Sequence, residues 1–476
     1  MKVFFVTPEA TPYVKTGGLG DVTGTLPKYL KDLGVEVSLI LPFYKCIKEK
    51  KFHLNRVFSS TLSLNGKNFF YSIYKNNDNA EFDTYFMEND ELFFRDGIYN
   101  KEGIDYLDNY LRYSFFSLAS LKFIFESGGG DIIHIHDWQT SLIPVYKKLY
   151  YTERKEKVLL TIHNISYQGI FNKKILKEIN LPESLFNIEG LEFYGKVNFL
   201  KGGIVFSDFI NTVSPSYGKE IQKEEFGFGL HNLLLKRRNY ITGIINGIDY
   251  SYWNPEIVKY IKVPFTLKTI YKKRENKNFL YKDLEVSFDL EKPLFSMISR
   301  ITSQKGFDIL FEVFEELMKL PLNLIILGTG DIEDEKKLKK FGEIYKGKFV
   351  PIIKFDEELS HKIYASSDFF LIPSKFEPCG LGQLIALRYG AVPVVRRTGG
   401  LKDTIQNYHE KTNCGNGITF DNYNSLELLE AIKKGVKIFE DKKVYKKIQE
   451  SGMKCDYSWL SSSKEYLRLY NKIKEE

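Results

Sequence analysis

At 476 residues the chain has room for about two domains with full cores, and its charge is only mildly basic, 68 Lys plus Arg against 61 Asp plus Glu. Many lysines fall on helix-like polar faces such as 335–340, so solvation accounts for them and no nucleic-acid partner is expected. Four scattered cysteines (Cys46, Cys379, Cys414, Cys455) form no Cys-x-x-Cys pair, which argues for a reduced compartment and against a zinc site or a disulfide framework. No apolar run approaches the roughly 18 residues of a membrane span, and the run at Val3–Val6 is too short for a signal peptide, so a cytoplasmic chain without a membrane partner is expected.

In chain order, 3–6 reads as a buried strand, followed by Lys15-Thr-Gly-Gly-Leu-Gly-Asp21 and a helical stretch over 22–33 closed by Gly34. Strand, glycine-rich loop and helix can hold phosphate, because Gly17 and Gly18 let backbone N–H groups approach an anion closely. The spacing matches neither the dinucleotide fingerprint nor the P-loop. Lys15 strengthens the phosphate reading, since a flexible ammonium reaches a diphosphate as a point charge. A second strand covers 35–41, and 52–88 alternates polar and apolar residues around Asn65-Gly66, which predicts hairpin strands. Residues 89–109, carrying Arg95 and Tyr99, read as a long loop of the kind that tends to be functional. Residues 110–126 read as a helix stopped by three glycines.

The run 131–138 is a strand ending in polar residues. His134 and His136 share one of its faces, where neutral core histidines are a plainer reading than metal ligands. Asp137 and Trp138 at its end are placed to face a ligand, an exposed Trp being a common sugar platform. The strand 158–162 delivers His163 at the same position, and His163 is read as functional. A helix from 198, a strand at 209–213, a Ser214-capped helix and a strand at 241–245 complete the first half, followed by Asn246 and a crossover over 249–255. Residues 259–292 read as a charged bridging helical pair.

A second series follows: strand 294–298, helix 306–318, strands 322–327 and 349–353, helix 357–366, strand 368–372, helix 384–389, strand 392–395 and a glycine-rich helix start at 398–403. The expectation is an α/β chain of two Rossmann-like domains, 1–248 and 249–455, whose parallel sheets face across a deep cleft, with a helix in 456–476 returning to the first. The chain is organised around the loop 373–383, at the carboxyl end of a buried strand and the start of a helix, where open α/β sheets take ligands. Glu377 stands just before free N–H donors that suit a phosphate, and an acid there repels the anion, so stability alone does not explain it. The plainer alternative is a first-turn acid at a helix start.

Together these motifs resemble the bacterial glycogen synthases and plant starch synthases, retaining glycosyltransferases of the GT-B fold. The matching pieces are Lys15 to Asp21, His136-Asp-Trp138, Thr161-Ile-His-Asn164 with Tyr167-Gln-Gly169, Ile245-Asn-Gly-Ile-Asp249, Ser299-Arg300 with Gln304-Lys-Gly306, Phe376-Glu-Pro-Cys-Gly-Leu381, Thr398 to Asp403 and Tyr457-Ser-Trp459, in the family's order over essentially the whole chain. The resemblance implies transfer of glucose from ADP-glucose to the non-reducing end of an α-1,4-glucan (glycogen or starch) with retention, and with no metal or other cofactor. By motif position it assigns Lys15, the Gly17–Gly18 backbone, Asp21, Asn246, Arg300, Lys305, Cys379, Gly380 and Leu381 to the donor. It places Asp137, Trp138, His163 and Tyr99 around glucose or acceptor, with Glu377, His163, Lys305, Arg300 and Lys15 carrying catalysis. Two positions depart from the pattern: Gln139 stands where the family often has His, and Ile385 where related retaining transferases, though not generally the synthases, carry a second acid.

Cleaving the sugar–diphosphate bond builds negative charge that Arg300, Lys305 and loop N–H groups can stabilise. No second carboxylate is placed as a nucleophile, unlike in retaining hydrolases, so same-face attack is expected, with the leaving phosphate accepting the acceptor's proton. One rival is a retaining transferase using UDP-glucose and a small acceptor. A non-catalytic glucan-binding protein is the other, and it has no need of Lys15, Arg300, Lys305 and Glu377 together.

Overall fold

The computed structural model describes residues 1–476. The chain divides into two compact units: unit 1 comprises Met1–Val213, Gly218–Ile244 and Trp459–Glu476, and unit 2 comprises Ser214–Tyr217 and Ile245–Ser458.

Unit 1 is built on a nine-stranded sheet. Its central strand, Lys2–Val6, pairs in parallel with Glu36–Pro42 on one side and Ile132–His136 on the other. Beyond the latter come Lys157–Ile162, Phe209–Thr212 and Ile241–Gly243, all parallel. The strand Ile132–His136 is buried along its whole length, as a parallel strand covered on both faces must be. The predicted hairpin, Leu54–Leu64 with Lys67–Asn76, adds antiparallel strands at the opposite edge. Asn65 (φ 53°) and Gly66 (φ 67°) supply the two left-handed residues of its turn.

Two local readings change. Within 89–109 a short helix, Asp90–Phe93, starts at Asn89, whose side chain accepts the Leu92 N–H at 3.1 Å, and a two-stranded ribbon follows. Between 170 and 198 a small antiparallel sheet joins Ile170–Asn172, Glu192–Phe193 and Lys196–Asn198; strands of two or three residues are too short for alternation to reveal them. The helix Trp459–Glu475 packs on the helix Gly18–Asp32, burying Trp459, Tyr466, Tyr470 and Ile473.

Unit 2 carries a six-stranded, wholly parallel sheet in the spatial order Phe349–Ile353, Asn323–Gly328, Leu294–Ile298, Phe369–Ile372, Val392–Arg396, Ile418–Phe420. The helix expected over 306–318 is two pieces, Phe307–Glu312 and Phe314–Lys319, broken at the β-branched Val313 (φ −109°, ψ 9°). The bridging pair expected over 259–292 contains one α-helix, Lys273–Asp283, preceded by a 3₁₀ segment, and it is fastened to unit 2 by two buried lysines. Lys273 donates to the carbonyls of Tyr364, Ala365 and Tyr389, and burial pushes its ammonium down to about 7. Lys277 pairs with Asp368 at 2.8 Å. These lysines belong to the interior rather than to a solvated face.

Candidate active site

In unit 2 the loop after Phe369–Ile372 turns Glu377 inward, leaving it 6% exposed. Its Oε2 accepts from Lys305 Nζ at 2.6 Å and from the Ser374 hydroxyl at 2.8 Å, which leaves Oε1 available to another donor. The following helix begins at Gly382, with Leu381 as N-cap and no side-chain cap bond, so the alternative of a helix-start acid does not hold for Glu377. Close backbone approach explains the flanking glycines. A Cβ on Gly306 (φ 83°) would lie 2.3 Å from the Pro373 carbonyl oxygen, and one on Gly400 would lie 2.1 Å from that of Cys379. The segment from Gln304 is clamped to the loop by the Lys375 N–H on the Gln304 carbonyl (2.9 Å), and the Thr398-Gly-Gly turn by the Gly400 N–H on the Glu377 carbonyl (3.1 Å). The loop's two sequence neighbours in function are therefore its two walls in space.

Gln383 donates to the carbonyls of Cys379 and Gly380, both at 2.9 Å, while the N–H groups of Gly380 and Leu381 meet no protein acceptor and remain as donors for an anion. Burial pushes the Cys379 thiol up to about 12, although the Asn246 N–H donates to its sulfur. It is thus a neutral packing group at physiological pH rather than a nucleophile. Asn246 is buried beside it, with its side-chain carbonyl unpartnered. Arg300 stands exposed just past the strand Leu294–Ile298.

In unit 1 the helix Gly18–Asp32 begins at the glycine-rich loop, and the N–H groups of Gly17 and Gly18 again meet no protein acceptor. Lys15 pairs with Asp21 at 2.8 Å, both side chains being about one-third exposed. A lysine has three donors, so this pair and the one between Lys305 and Glu377 each leave N–H groups for phosphate oxygens.

The residue missed in the sequence is Glu9. It is 3% exposed and takes three donors: the Thr16 N–H, the Thr16 hydroxyl (2.7 Å) and the Tyr99 hydroxyl. Glu9 fixes the residue after Lys15 and ties it to a loop far along the chain. Burial, then the Glu9 charge, hold the Tyr99 phenol well above its ordinary pKa. Tyr99 is thereby a neutral donor to Glu9.

His163 ends the strand Lys157–Ile162, 8% exposed, and burial pushes its imidazole down to about 3. Its ring Nε2 lies 3.1 Å from Nδ1 of His136, and its N–H donates to Asp137 Oδ1 at 2.7 Å. Asp137 adopts φ 55°, ψ −169°, a region almost reserved for glycine, whose cost is of order 1–3 kcal/mol. Burial pushes its carboxyl up to about 7, against the opposing pull of the His163 and Asn164 N–H groups. Asp137 therefore acts on the His163 backbone. Trp138 corrects the expectation of an exposed sugar platform: it is 9% exposed, wedged among Tyr113, Phe171 and Phe199, and a Cβ on Gly169 would lie 2.4 Å from its ring. An indole at a strand end can face the core as readily as the ligand, and sequence position does not separate the two.

Comparison with known proteins agrees with this layout. The family profile described as starch synthase catalytic domain matches residues 2–236, and that of glycosyl transferases group 1 matches residues 283–454. The chain is 44% identical over 485 aligned residues to the glycogen synthase of Thermosipho africanus and 42% identical over 484 to that of Thermotoga maritima, each covering 99% of both proteins. Among solved structures it is similar to the catalytic domain of starch synthase IV from Arabidopsis thaliana bound to ADP and acarbose, with a TM-score of 0.91 and 32% identity over 100% of this chain and 99% of that one. A sucrose-phosphate synthase from Thermosynechococcus elongatus shares the fold at 13% identity, with a TM-score of 0.62 and coverage of 99% of this chain and 98% of the other. With its two parallel-sheet units and its full-length match, the chain belongs to the glycogen synthase and starch synthase family of GT-B glycosyltransferases.

Proposed function

We propose that the protein transfers glucose from ADP-glucose to the non-reducing end of an α-1,4-glucan with retention of configuration. The observation that carries the site reading is the buried Glu377 carboxylate, held on one oxygen by Lys305 and Ser374 with the other free, beside the unpaired N–H groups of Gly380 and Leu381. A carboxylate held in this way accepts hydrogen bonds from glucose hydroxyls, and the adjacent N–H groups take phosphate oxygens. Arg300, Lys305 and Lys15 supply the positive charge. As the bond from C1 to the phosphate oxygen breaks, negative charge collects on the diphosphate, and each positioned donor there is worth roughly 10²- to 10³-fold in rate. The acceptor's 4-hydroxyl oxygen bonds to C1 on the face the diphosphate leaves. Its proton goes to the departing phosphate oxygen, and ADP is released.

In this reading protein cations neutralise the leaving group, so no metal or other cofactor takes part, and chelation with EDTA leaves the rate unchanged. Incubating the protein with glycogen and either ADP-glucose or UDP-glucose tests the donor. The expected result is α-1,4 chain extension with ADP-glucose at least tenfold faster. Equal or greater transfer from UDP-glucose, or transfer only to a small acceptor, overturns the reading.

A further inference from the structure

The His136-Asp-Trp138 motif grips His163 twice, and only one of the two grips is explained by the backbone. Asp137 holds the His163 main chain, while His136, completely buried, meets the His163 ring itself, Nδ1 to Nε2 at 3.1 Å. Both rings are neutral because burial disfavours imidazolium, so one nitrogen of this contact carries the hydrogen and the other accepts it. The remaining nitrogen of His136, Nε2, is buried and has no partner. If His163 were the donor, neutral His136 would carry its hydrogen on Nε2, leaving a buried N–H without an acceptor. In the reverse arrangement only a lone pair is left unmatched, and orphaned acceptors are tolerated more often than orphaned donors. Phe5 and His134 pack against the His136 ring and hold it in place.

We propose that His136 is a positioning residue that donates its Nδ1–H to Nε2 of His163, fixing His163 as the tautomer that carries its hydrogen on Nδ1. His163 then presents a donor to the substrate: it can hydrogen-bond a sugar or phosphate oxygen, and it cannot take a proton as a base. The substrate side of this inference rests on the glucosyl-transfer reading; the tautomer does not.

The test uses the full chain labelled with 15N-histidine, with His163 identified by the signal lost in His163→Gln. At neutral pH the two-bond 1H–15N pattern of wild type is expected to show a protonated Nδ1 and a bare Nε2 at His163. In His136→Phe the donor is gone, His163 shifts toward the Nε2–H form, and kcat falls more than tenfold while ADP affinity changes less than threefold. His136→Gln, which keeps an N–H donor, is expected to recover part of both. A wild-type His163 protonated on Nε2 overturns the proposal without any variant needing to fold, as does a His163 tautomer that His136→Phe leaves unchanged. Failure of wild type to use ADP-glucose while the Nδ1–H pattern is present overturns the transfer reading alone.

Discussion

At the scale of single residues, two buried carboxylates, Glu9 and Glu377, are held by donors at a distance in sequence. Glu377→Gln replaces an ion-pair acceptor with a neutral amide and strands the Lys305 ammonium in a largely buried position. Transfer is expected to drop by 10²-fold or more, an order of magnitude taken from the loss of one preorganised electrostatic group, while ADP still binds. Steady-state kinetics beside ADP titration calorimetry check it, and a variant within threefold of wild type removes Glu377 from the chemistry. Glu9→Gln puts an NH₂ group into a pocket of three donors, so the Thr16 turn loosens; KM for ADP-glucose is expected to rise roughly tenfold, equivalent to about 1.4 kcal/mol, with the glucan KM little changed. Equal rises in both would mean general unfolding of unit 1. Lys15, His163, Arg300, Lys305 and Glu377 stand out in the sequence because each sits in a short motif in the segment that follows a strand. Glu9 does not, because its partner Tyr99 lies 90 residues away and nothing local marks the pair.

At the scale of elements, most parallel strands followed from their apolar runs and the helices Gly18–Asp32 and Asn109–Glu126 from period and flanking glycines, whereas the ribbon within 89–109 and the small sheet over 170–198 did not. The parallel strands are continuous apolar runs that no other element explains, and Asn65-Gly66 could hardly be anything but a hairpin turn. The break at Val313 leaves no mark in the apolar pattern because both halves of that stretch keep apolar residues facing one core. The helix Trp459–Glu475 shows what packing adds to periodicity. Tyr470 donates to or accepts from His134 Nδ1 at 2.8 Å, Tyr466 meets Asn211 at 3.0 Å, and Lys474 pairs with Asp131 at 2.8 Å. Tyr470→Phe removes one buried partner and is expected to lower the stability of unit 1 by about 1–3 kcal/mol. Ending the chain after Ser458 would delete four large buried side chains, whose burial is worth about 1.5–3 kcal/mol each, a sum comparable with the whole stability of a domain. Such a truncation is expected to leave unit 1 unfolded and protease-sensitive; a protease-resistant unit 1 would show that the helix is dispensable.

At the scale of the molecule, unit 1 carries an acid-sensitive core. His134, His136 and His163 are neutral when folded, burial being the first cause for each, and they regain ordinary values near 6.5 on unfolding. Their contribution to stability is therefore present above pH 6.5 and is lost as pH falls toward the folded values. Asp137, pushed up to about 7, acts the other way, taking up one proton in the folded state over the same range. Below about pH 6.5 the unfolded state gains protons on the three imidazoles that the folded state resists, and the single Asp137 carboxyl offsets only part of this, so stability falls as the pH falls. Hydrogen-exchange protection of the strand Ile132–His136, corrected for intrinsic rates, is expected to fall steeply from pH 7 to 5; constant protection would contradict neutral histidines. The two-domain α/β plan was readable from the alternation of strands and helices. How unit 1 is stitched together was less so, because the polar chain from Tyr470 to His134 to Thr161 spans 336 residues and leaves no mark in any window of sequence.

That stitching fixes an order of events during synthesis. The nine-stranded sheet is translated before any of residues 245–458, yet it lacks the helix Trp459–Glu475 until the ribosome has passed them all. A nascent chain stalled anywhere in that interval holds a first half that waits with its tyrosine sockets empty. Chaperone dependence should accordingly concentrate on the half that is made first.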